Sequence, residues 1–180
     1  PSIARVMQKT TLAGPDAPAD PVPFVFHAGE SLRRDNENMY FAYLLGSKRV
    51  GHGFQLLLLP NLMQEYIAKG FNLECNPISN MLLGYVTDLR THPVRFMIRH
   101  GVQVTISSDD PTFFGYEGVT MDFFYALVAW QLDLIDLKQL ALNSIKYATV
   151  PEAAKQNLLT EVFPQKWNAF VQHLLTMQIE

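Results

Sequence analysis

The chain has 180 residues, of which 48% are hydrophobic and 17% are charged, and its formal net charge is −3. This length and apolar content are typical of a single globular domain with a buried core. The mildly acidic balance argues against a nucleic-acid partner, and apolar runs such as residues 56–59 are too short to insert into a bilayer.

Residues 1–23 are predicted as part of a helix followed by a proline-rich connector. Four prolines lie between residues 13 and 23, and proline blocks helix formation. The chain starts at Pro1 without a charged-then-apolar leader, so we expect a fragment or processed piece whose compartment is left open. Residues 24–180 are predicted as one α/β unit.

Strands and helices are predicted to alternate after this connector. Short apolar stretches predict strands over residues 22–27, 49–52, 71–75 and 102–107. Helices are predicted from the N-cap Asp35 to Gly46, from Pro60 to Gly70, from Pro93 to His100, from Gly118 to Trp130, and over residues 137–149 and 151–177. The inward faces of the first and fourth helices are predicted to comprise Tyr40, Phe41, Leu44 and Leu45, and Phe123, Phe124, Leu127 and Val128.

The regular spacing of the strands is that of βα units and predicts a parallel sheet. Each strand is followed by a polar loop, and catalytic groups at the carboxyl ends of parallel strands are typical of a (β/α)8 barrel. Such a barrel usually needs about 250 residues, so four units would form half of one. The pattern alone fits a small doubly wound domain with incidental polar loops equally well.

Two of these loops begin with a histidine. His27 ends the first strand and is followed at once by Gly29 and Glu30, while His52 ends the second strand between two glycines. Histidine is the commonest metal ligand, and Gly29 permits a tight turn that would return the Glu30 carboxylate to the same pocket. A hydrogen-bonded strand end explains either histidine better when it is taken alone.

The stretch ISSDDPTFFG, residues 106–115, places two adjacent carboxylates after the fourth strand, Asp109 and Asp110. Neighbouring residues of a strand point to opposite sides, so one carboxylate could reach a metal and the other a polar ligand. An Asx turn or a helix cap before Pro111 explains them equally well. Together with the residues that end the first two strands, they predict metal-assisted hydrolysis, in which the metal activates water and His and Glu move protons.

Five stretches resemble, in order and spacing, the C-terminal half of adenosine deaminases: FHAGE, RVGHGF, ECNPISN, HPVRFMIRHGVQVTISSDDPTFFG and LKQLALNSIKYATV. The ISSDDP loop, the Gly-x-x-x-Asp-Phe motif at residues 118–123 and LNSIKY are most similar to the adenosine deaminase-related growth factors, the secreted branch of that family. The resemblance covers about residues 22–175. It implies an α/β fold, the C-terminal half of a (β/α)8 TIM barrel with four βα units and C-terminal helices.

The resemblance also implies a zinc enzyme that converts adenosine and 2'-deoxyadenosine to inosine and ammonia. His27 and Asp109 would bind Zn²⁺, and Glu30 would protonate the purine at N1 as water adds at C6. His52 would orient the hydroxide on zinc and stabilise the developing charge. Asp110 would hydrogen-bond the purine at N7.

Two departures from the family pattern modify this expectation. The family has a His-x-His pair that supplies two zinc ligands, and no His-x-His occurs in the 180 residues. Because catalytic zinc takes three or more protein ligands, we expect the N-terminal half to be left out and the chain alone to be inactive. The family also usually has Cys at the position of Asn76, which we interpret as a packing variation, and Cys75 is interpreted as a buried apolar residue.

Two other functions stay open at this stage. One is a receptor-binding growth factor whose deaminase residues are incidental, although the intact site residues argue against it. The other is a deaminase of AMP or another purine, because the family residues that contact ribose and phosphate lie mostly in the absent half. From the resemblance we expect an extracellular protein, and we expect a homodimer of the full-length protein.

Overall fold

The computed structural model describes residues 23–31, 33 and 35–177. Four short strands form one sheet in the order β1-β2-β3-β4, with β1 at Val25–Ala28, β2 at Arg49–His52, β3 at Asn72–Cys75 and β4 at Gln103–Ile106. All three pairings are parallel, so each connection crosses over the sheet. The predicted α/β fold with four βα units is confirmed, whereas the prediction for residues 1–22 lies outside the described residues.

Helices fill the connections and the C-terminal region. Helices α1 to α9 span Asn38–Leu44, Pro60–Lys69, Pro77–Leu82, Pro93–Arg99, Pro111–Phe114, Thr120–Trp130, Leu134–Lys146, Glu152–Asn157 and Phe163–Thr176. Single 3-10 segments lie at Phe54–Leu58 and Leu89–Thr91, and a π-helical segment at Leu158–Val162 joins α8 to α9. None of the described helices is long and apolar enough to cross a membrane.

The helix boundaries follow from proline and glycine. Proline is the first residue of α2, α3, α4 and α5, a position where its missing N–H has no intrahelical partner to lose. Gly70 ends α2 in the left-handed conformation with φ +62°, and Gly101 follows α4 with φ +91°. The predicted ends of these two helices are therefore confirmed, and α3 and α5 are short helices that the pattern did not predict.

The prediction for α1 is wrong in its start and in its inward face. The helix begins at Asn38, whose N–H donates to the side chain of Asn36, while the carboxylate of Asp35 pairs with Arg33 instead of capping a helix. Its buried residues are Met39 and Ala42. Three of the four residues predicted to face inward are exposed, namely Tyr40, Phe41 and Leu44.

Helix α6 also packs by a different face from the predicted one. Phe124 and Val128 are 54% and 61% exposed, although Phe123 packs against the core. Its buried residues are Asp122, Ala126 and Trp130, which are spaced four residues apart. The helix is apolar on almost every side, so hydrophobicity does not identify the packed face, which is set by hydrogen bonds of Asp122 and Trp130 to neighbouring backbone.

The core lies between the sheet and the helices of the crossovers. Val50, Leu73 and Val104 are register neighbours in β2, β3 and β4, and each is at most 1% exposed. They pack in one cluster with Tyr66 of α2 and Met97 of α4. Since the strands run parallel, this packing brings all four carboxyl ends to one edge of the sheet.

Candidate functional site

The carboxyl end of β1 turns sharply after His27. Gly29 has φ +66°, and a Cβ there would lie 2.6 Å from the Sδ of Met39. The Gly29 N–H donates to the side-chain oxygen of Asn38 at 2.9 Å. This turn requires glycine, and it directs Glu30 towards β2, where its Oε2 lies 3.5 Å from Nε2 of His52.

His52 ends β2 in a strained backbone conformation. Its φ is +67°, a left-handed value that is uncommon for a residue other than glycine, and the residue is only 2% exposed. Gly53 follows with φ +64°, and a Cβ there would lie 2.4 Å from Cδ2 of Leu73. Such strain is concentrated at functional sites, where the surrounding structure holds it in place.

The loop after β4 places its two aspartates differently. Asp109 also has a positive φ, +57°, and its Oδ2 accepts a hydrogen bond from the hydroxyl of Ser79 at 2.7 Å. Asp110 is exposed and precedes α5 without a side-chain capping bond. The two neighbouring carboxylates therefore lie in different environments, and the capping explanation of Asp110 does not hold.

Three of the predicted residues form a cluster that fits a metal ion. Ligand atoms of His27, His52 and Asp109 all lie within 4.8 Å of one another. Zinc binds histidine nitrogen and carboxylate oxygen at about 2.0–2.2 Å, and donors gathered this closely could hold a metal ion. Glu30 lies beside the cluster, and Asp110 is outside it.

The electrostatics of the cluster favour a neutral His52. Burial lowers the pKa of its imidazole, and the charges of Glu30 and Asp109 oppose this effect without reversing it. A neutral imidazole keeps one lone pair, which is the form that binds a metal or accepts a proton from water. The amide nitrogen of Asn76, which can only donate, lies against Nδ1, so the hydrogen of the ring is on Nε2 and His52 can donate a hydrogen bond to a reacting water.

Two residues after β3 support the cluster, and neither was assigned a role in the site from the sequence. The side-chain nitrogen of Asn76 lies 3.0 Å from Nδ1 of His52, and both residues are buried. Asn76 is thus a direct partner of His52, so its interpretation as a packing variation is wrong. Ser79, which holds Asp109, is fully buried as well. The sequence indicates Asn76 and Ser79 only by their position shortly after a predicted buried strand.

The fold and the cluster together define a class of protein. Parallel βα units whose carboxyl edge holds histidines, an aspartate and a nearby glutamate are the arrangement of metal-dependent amidohydrolases built on a (β/α)8 barrel. Within that class, residues 16–165 match the adenosine deaminase family. The chain belongs to this family.

Curated relatives agree with this assignment. The chain is 42% identical over 155 residues to adenosine deaminase 2 of Dictyostelium discoideum, a match that covers 86% of this chain and 28% of the relative. It is 39% identical over 161 residues to adenosine deaminase 2 of Homo sapiens, covering 86% of this chain and 31% of the relative. The chain therefore spans less than a third of the length of these relatives.

Solved structures show the same relation at the level of the fold. An adenine deaminase from Arthrobacter aurescens superimposes with a TM-score of 0.73 at 26% identity, covering 94% of this chain and 47% of that one. An amidohydrolase from Burkhoderia ambifaria with bound Zn gives a TM-score of 0.75 at 23% identity, covering 86% and 43%. The four βα units thus correspond to just under half of these chains.

Proposed function

We propose that this chain is the C-terminal part of a zinc-dependent deaminase that converts adenosine and 2'-deoxyadenosine to inosine and ammonia. The observation that carries the proposal is the convergence of His27, His52 and Asp109, with Glu30 beside them, at one edge of the sheet in a member of the adenosine deaminase family. The four strands are far apart in sequence, and their carboxyl ends lie at this one edge because the sheet is parallel.

His27 and Asp109 are the proposed zinc ligands within the chain. Bound zinc supplies a water whose pKa is lowered to about 7. With His52 assigned to the attacking water, two ligands remain, which are too few for a catalytic zinc because such a zinc takes three or more from protein. We therefore propose that the longer protein provides a His-x-His pair from another strand and that the 180-residue chain alone is inactive.

The other site residues act on the purine and on the attacking water. Glu30 donates a proton to N1, which makes C6 electrophilic. His52, kept neutral by burial, hydrogen-bonds the water as it adds to C6 and stabilises the charge that develops there. Asp110, exposed in the loop after β4, is the proposed partner of N7, to which it donates a carboxyl hydrogen because N7 can only accept. Transfer of the hydroxyl proton of the C6 adduct to the amino group then breaks the C6–N bond and releases ammonia, which leaves inosine, while the proton that the water lost on adding returns to Glu30.

Replacing Glu30 tests this assignment. In the longer protein, Glu30→Gln removes the proton donor with little change of shape, so kcat for adenosine should fall about 10²- to 10⁴-fold while zinc content is retained. The fall in absorbance during deamination measures the rate, and metal analysis measures zinc. Glu37→Gln, at an exposed position before α1, is the matched control. A Glu30→Gln enzyme with the kcat of the control would refute the role of Glu30.

Substrate range and location are separate parts of the proposal. A solved structure similar to this chain is named as an adenine deaminase, so the assay should compare adenosine and 2'-deoxyadenosine with adenine and AMP. Nucleosides are expected to react fastest. The resemblance to the secreted branch supports an extracellular location. The upstream coding sequence tests this, because a secreted protein should begin with a leader peptide.

A further inference from the structure

Asp122 is a fully buried acid that the proposed mechanism does not use. It lies in α6 and is 0% exposed. Two groups hydrogen-bond its carboxyl, the backbone N–H of Ile78 and the hydroxyl of Tyr116. These partners belong to two different segments next to the metal cluster, so Asp122 joins segments that each hold a site residue.

The first link runs through α3. Oδ1 of Asp122 accepts the Ile78 N–H at 3.1 Å, in the first turn of a helix that begins at Pro77 without a side-chain cap of its own. One residue further along α3 is Ser79, whose hydroxyl donates to Oδ2 of Asp109 at 2.7 Å. The position of this donor therefore depends on the N-terminus that Asp122 holds.

The second link runs through Tyr116 to the loop after β4. The Tyr116 hydroxyl lies 2.9 Å from Oδ2 of Asp122 and 2.9 Å from the carbonyl oxygen of Ser108, the residue before Asp109. A hydroxyl has one hydrogen, and a carbonyl can only accept. Both contacts are satisfied when Tyr116 donates to Ser108 and the carboxyl of Asp122 carries a hydrogen that it donates to Tyr116.

The surroundings of Asp122 agree with a neutral carboxyl. Burial raises its pKa, and the nearby Asp109 acts in the same direction. The backbone N–H groups of Ile78 and of Asp122 itself act against this, as would a hydrogen bond donated by Tyr116, and none of these groups is a cation.

We propose that Asp122 is a positioning residue of the deaminase site: as a neutral acid it ties α3 to the loop after β4 through Tyr116, and so sets both Ser79 and Asp109. The inference rests on the proposed function. It differs from a purely structural role because the two segments that it joins meet at Asp109, a proposed zinc ligand.

The test compares two substitutions at this position in the longer protein. Asp122→Asn keeps an acceptor for Ile78 and a donor for Tyr116, as the neutral acid does, so zinc retention against a chelator should stay within about threefold of wild type. Asp122→Leu keeps the branched shape, although leucine is larger, and removes both bonds, so zinc affinity and kcat should each fall about 10- to 100-fold with KM little changed. Tyr116→Phe removes only the contact of Asp122 with the Tyr116 hydroxyl, and it should also lower zinc affinity and kcat. Tyr40→Phe, at an exposed tyrosine, is the control.

Each outcome decides the proposal. If Asp122→Asn loses as much zinc as Asp122→Leu, the carboxyl acts as an ion and the proposal is overturned. If Asp122→Leu and Tyr116→Phe both match the control, Asp122 does not position the site. Circular dichroism and the Tm establish folding, and should Asp122→Leu fail to fold, Tyr116→Phe gives the decision.

Zinc retention separates this inference from the proposed function. A wild-type protein that binds zinc but does not deaminate adenosine would refute the proposed function, while the variants would still report on the positioning of Asp109. An active wild type whose Asp122→Leu and Tyr116→Phe variants retain zinc like the control would refute the inference alone.

Discussion

Acidification from pH 7 to pH 4 should destabilise the folded protein through one buried histidine, His92. The residue is 2% exposed and caps α4, where its Nδ1 accepts the N–H of Val94 at 3.2 Å. Nε2 therefore carries the hydrogen and donates to the side-chain oxygen of Asn80 at 3.0 Å. A second proton on Nδ1 would find a donor instead of an acceptor, so the native state keeps this ring neutral.

The magnitude follows from the difference in pKa between the two states. Burial lowers the pKa of His92 in the folded protein to about 4, whereas the unfolded chain has the ordinary value of 6.5. Between these values the unfolded state binds a proton that the folded state does not, so the free energy of unfolding decreases as the pH falls. The stabilisation is complete above pH 6.5, is lost by about pH 4, and amounts to about 3 kcal/mol.

Denaturant unfolding at pH 7, 6, 5 and 4 measures this effect when wild type is compared with His92→Asn. Asparagine can still cap α4 but does not titrate, so wild type should lose about 3 kcal/mol more stability than the variant across this range. His100→Gln, at an exposed histidine, serves as the control and should follow wild type. Equal pH dependence of wild type and His92→Asn would refute the reasoning.

Three further predictions concern the cluster and its frame. In the longer protein, Ser79→Ala should lower zinc affinity about 10- to 100-fold, because Asp109 loses the hydroxyl that donates to it at 2.7 Å. A competition titration with a chelator measures the affinity, and Ser144→Ala, which removes a hydroxyl from α7, is the control. Unchanged affinity would contradict the role of Ser79. Gly53→Ala should destabilise the fold more than Gly84→Ala does. Both glycines have positive φ, but only a Cβ at residue 53 would lie 2.4 Å from the side chain of Leu73, which should lower the free energy of unfolding in denaturant by a further ~1–3 kcal/mol. Equal losses of stability would mean that the side chain of Leu73 moves away without cost. Removing zinc from the longer protein with a chelator should abolish deamination and adding zinc should restore it, whereas activity that persists in metal-free protein would refute a metal-dependent reaction.

The sheet could be predicted from the sequence because its signals are local. Pro60 and Gly70 mark the ends of α2, and apolar stretches mark the strands, so the order of the βα units follows. The inward faces of α1 and α6 could not be predicted in this way. Helix α6 is apolar on almost every side and is oriented by hydrogen bonds to distant backbone, as when Trp130 donates to the carbonyl of Leu89, so its sequence does not indicate which face is packed.

Some residues of the candidate site could likewise be predicted from the sequence, and others could not. His27 and His52 could be located from the sequence because each directly ends a strand, and the parallel sheet then brings them together. The contacts of Asn76 and Asp122 could not be predicted, because their partners lie 24 and 44 residues away along the chain. The contacts depend on strand register and helix rotation, which a single sequence does not specify.

The most direct measurement is zinc content and adenosine deamination by the longer protein and by the 180-residue chain, side by side. The longer protein should bind zinc and convert adenosine to inosine, and the chain alone should do neither at a comparable level, because only two of the proposed zinc ligands lie in it. A longer protein that holds zinc but forms no inosine would contradict the proposed function. Deamination by the 180-residue chain alone would contradict the claim that its site is incomplete.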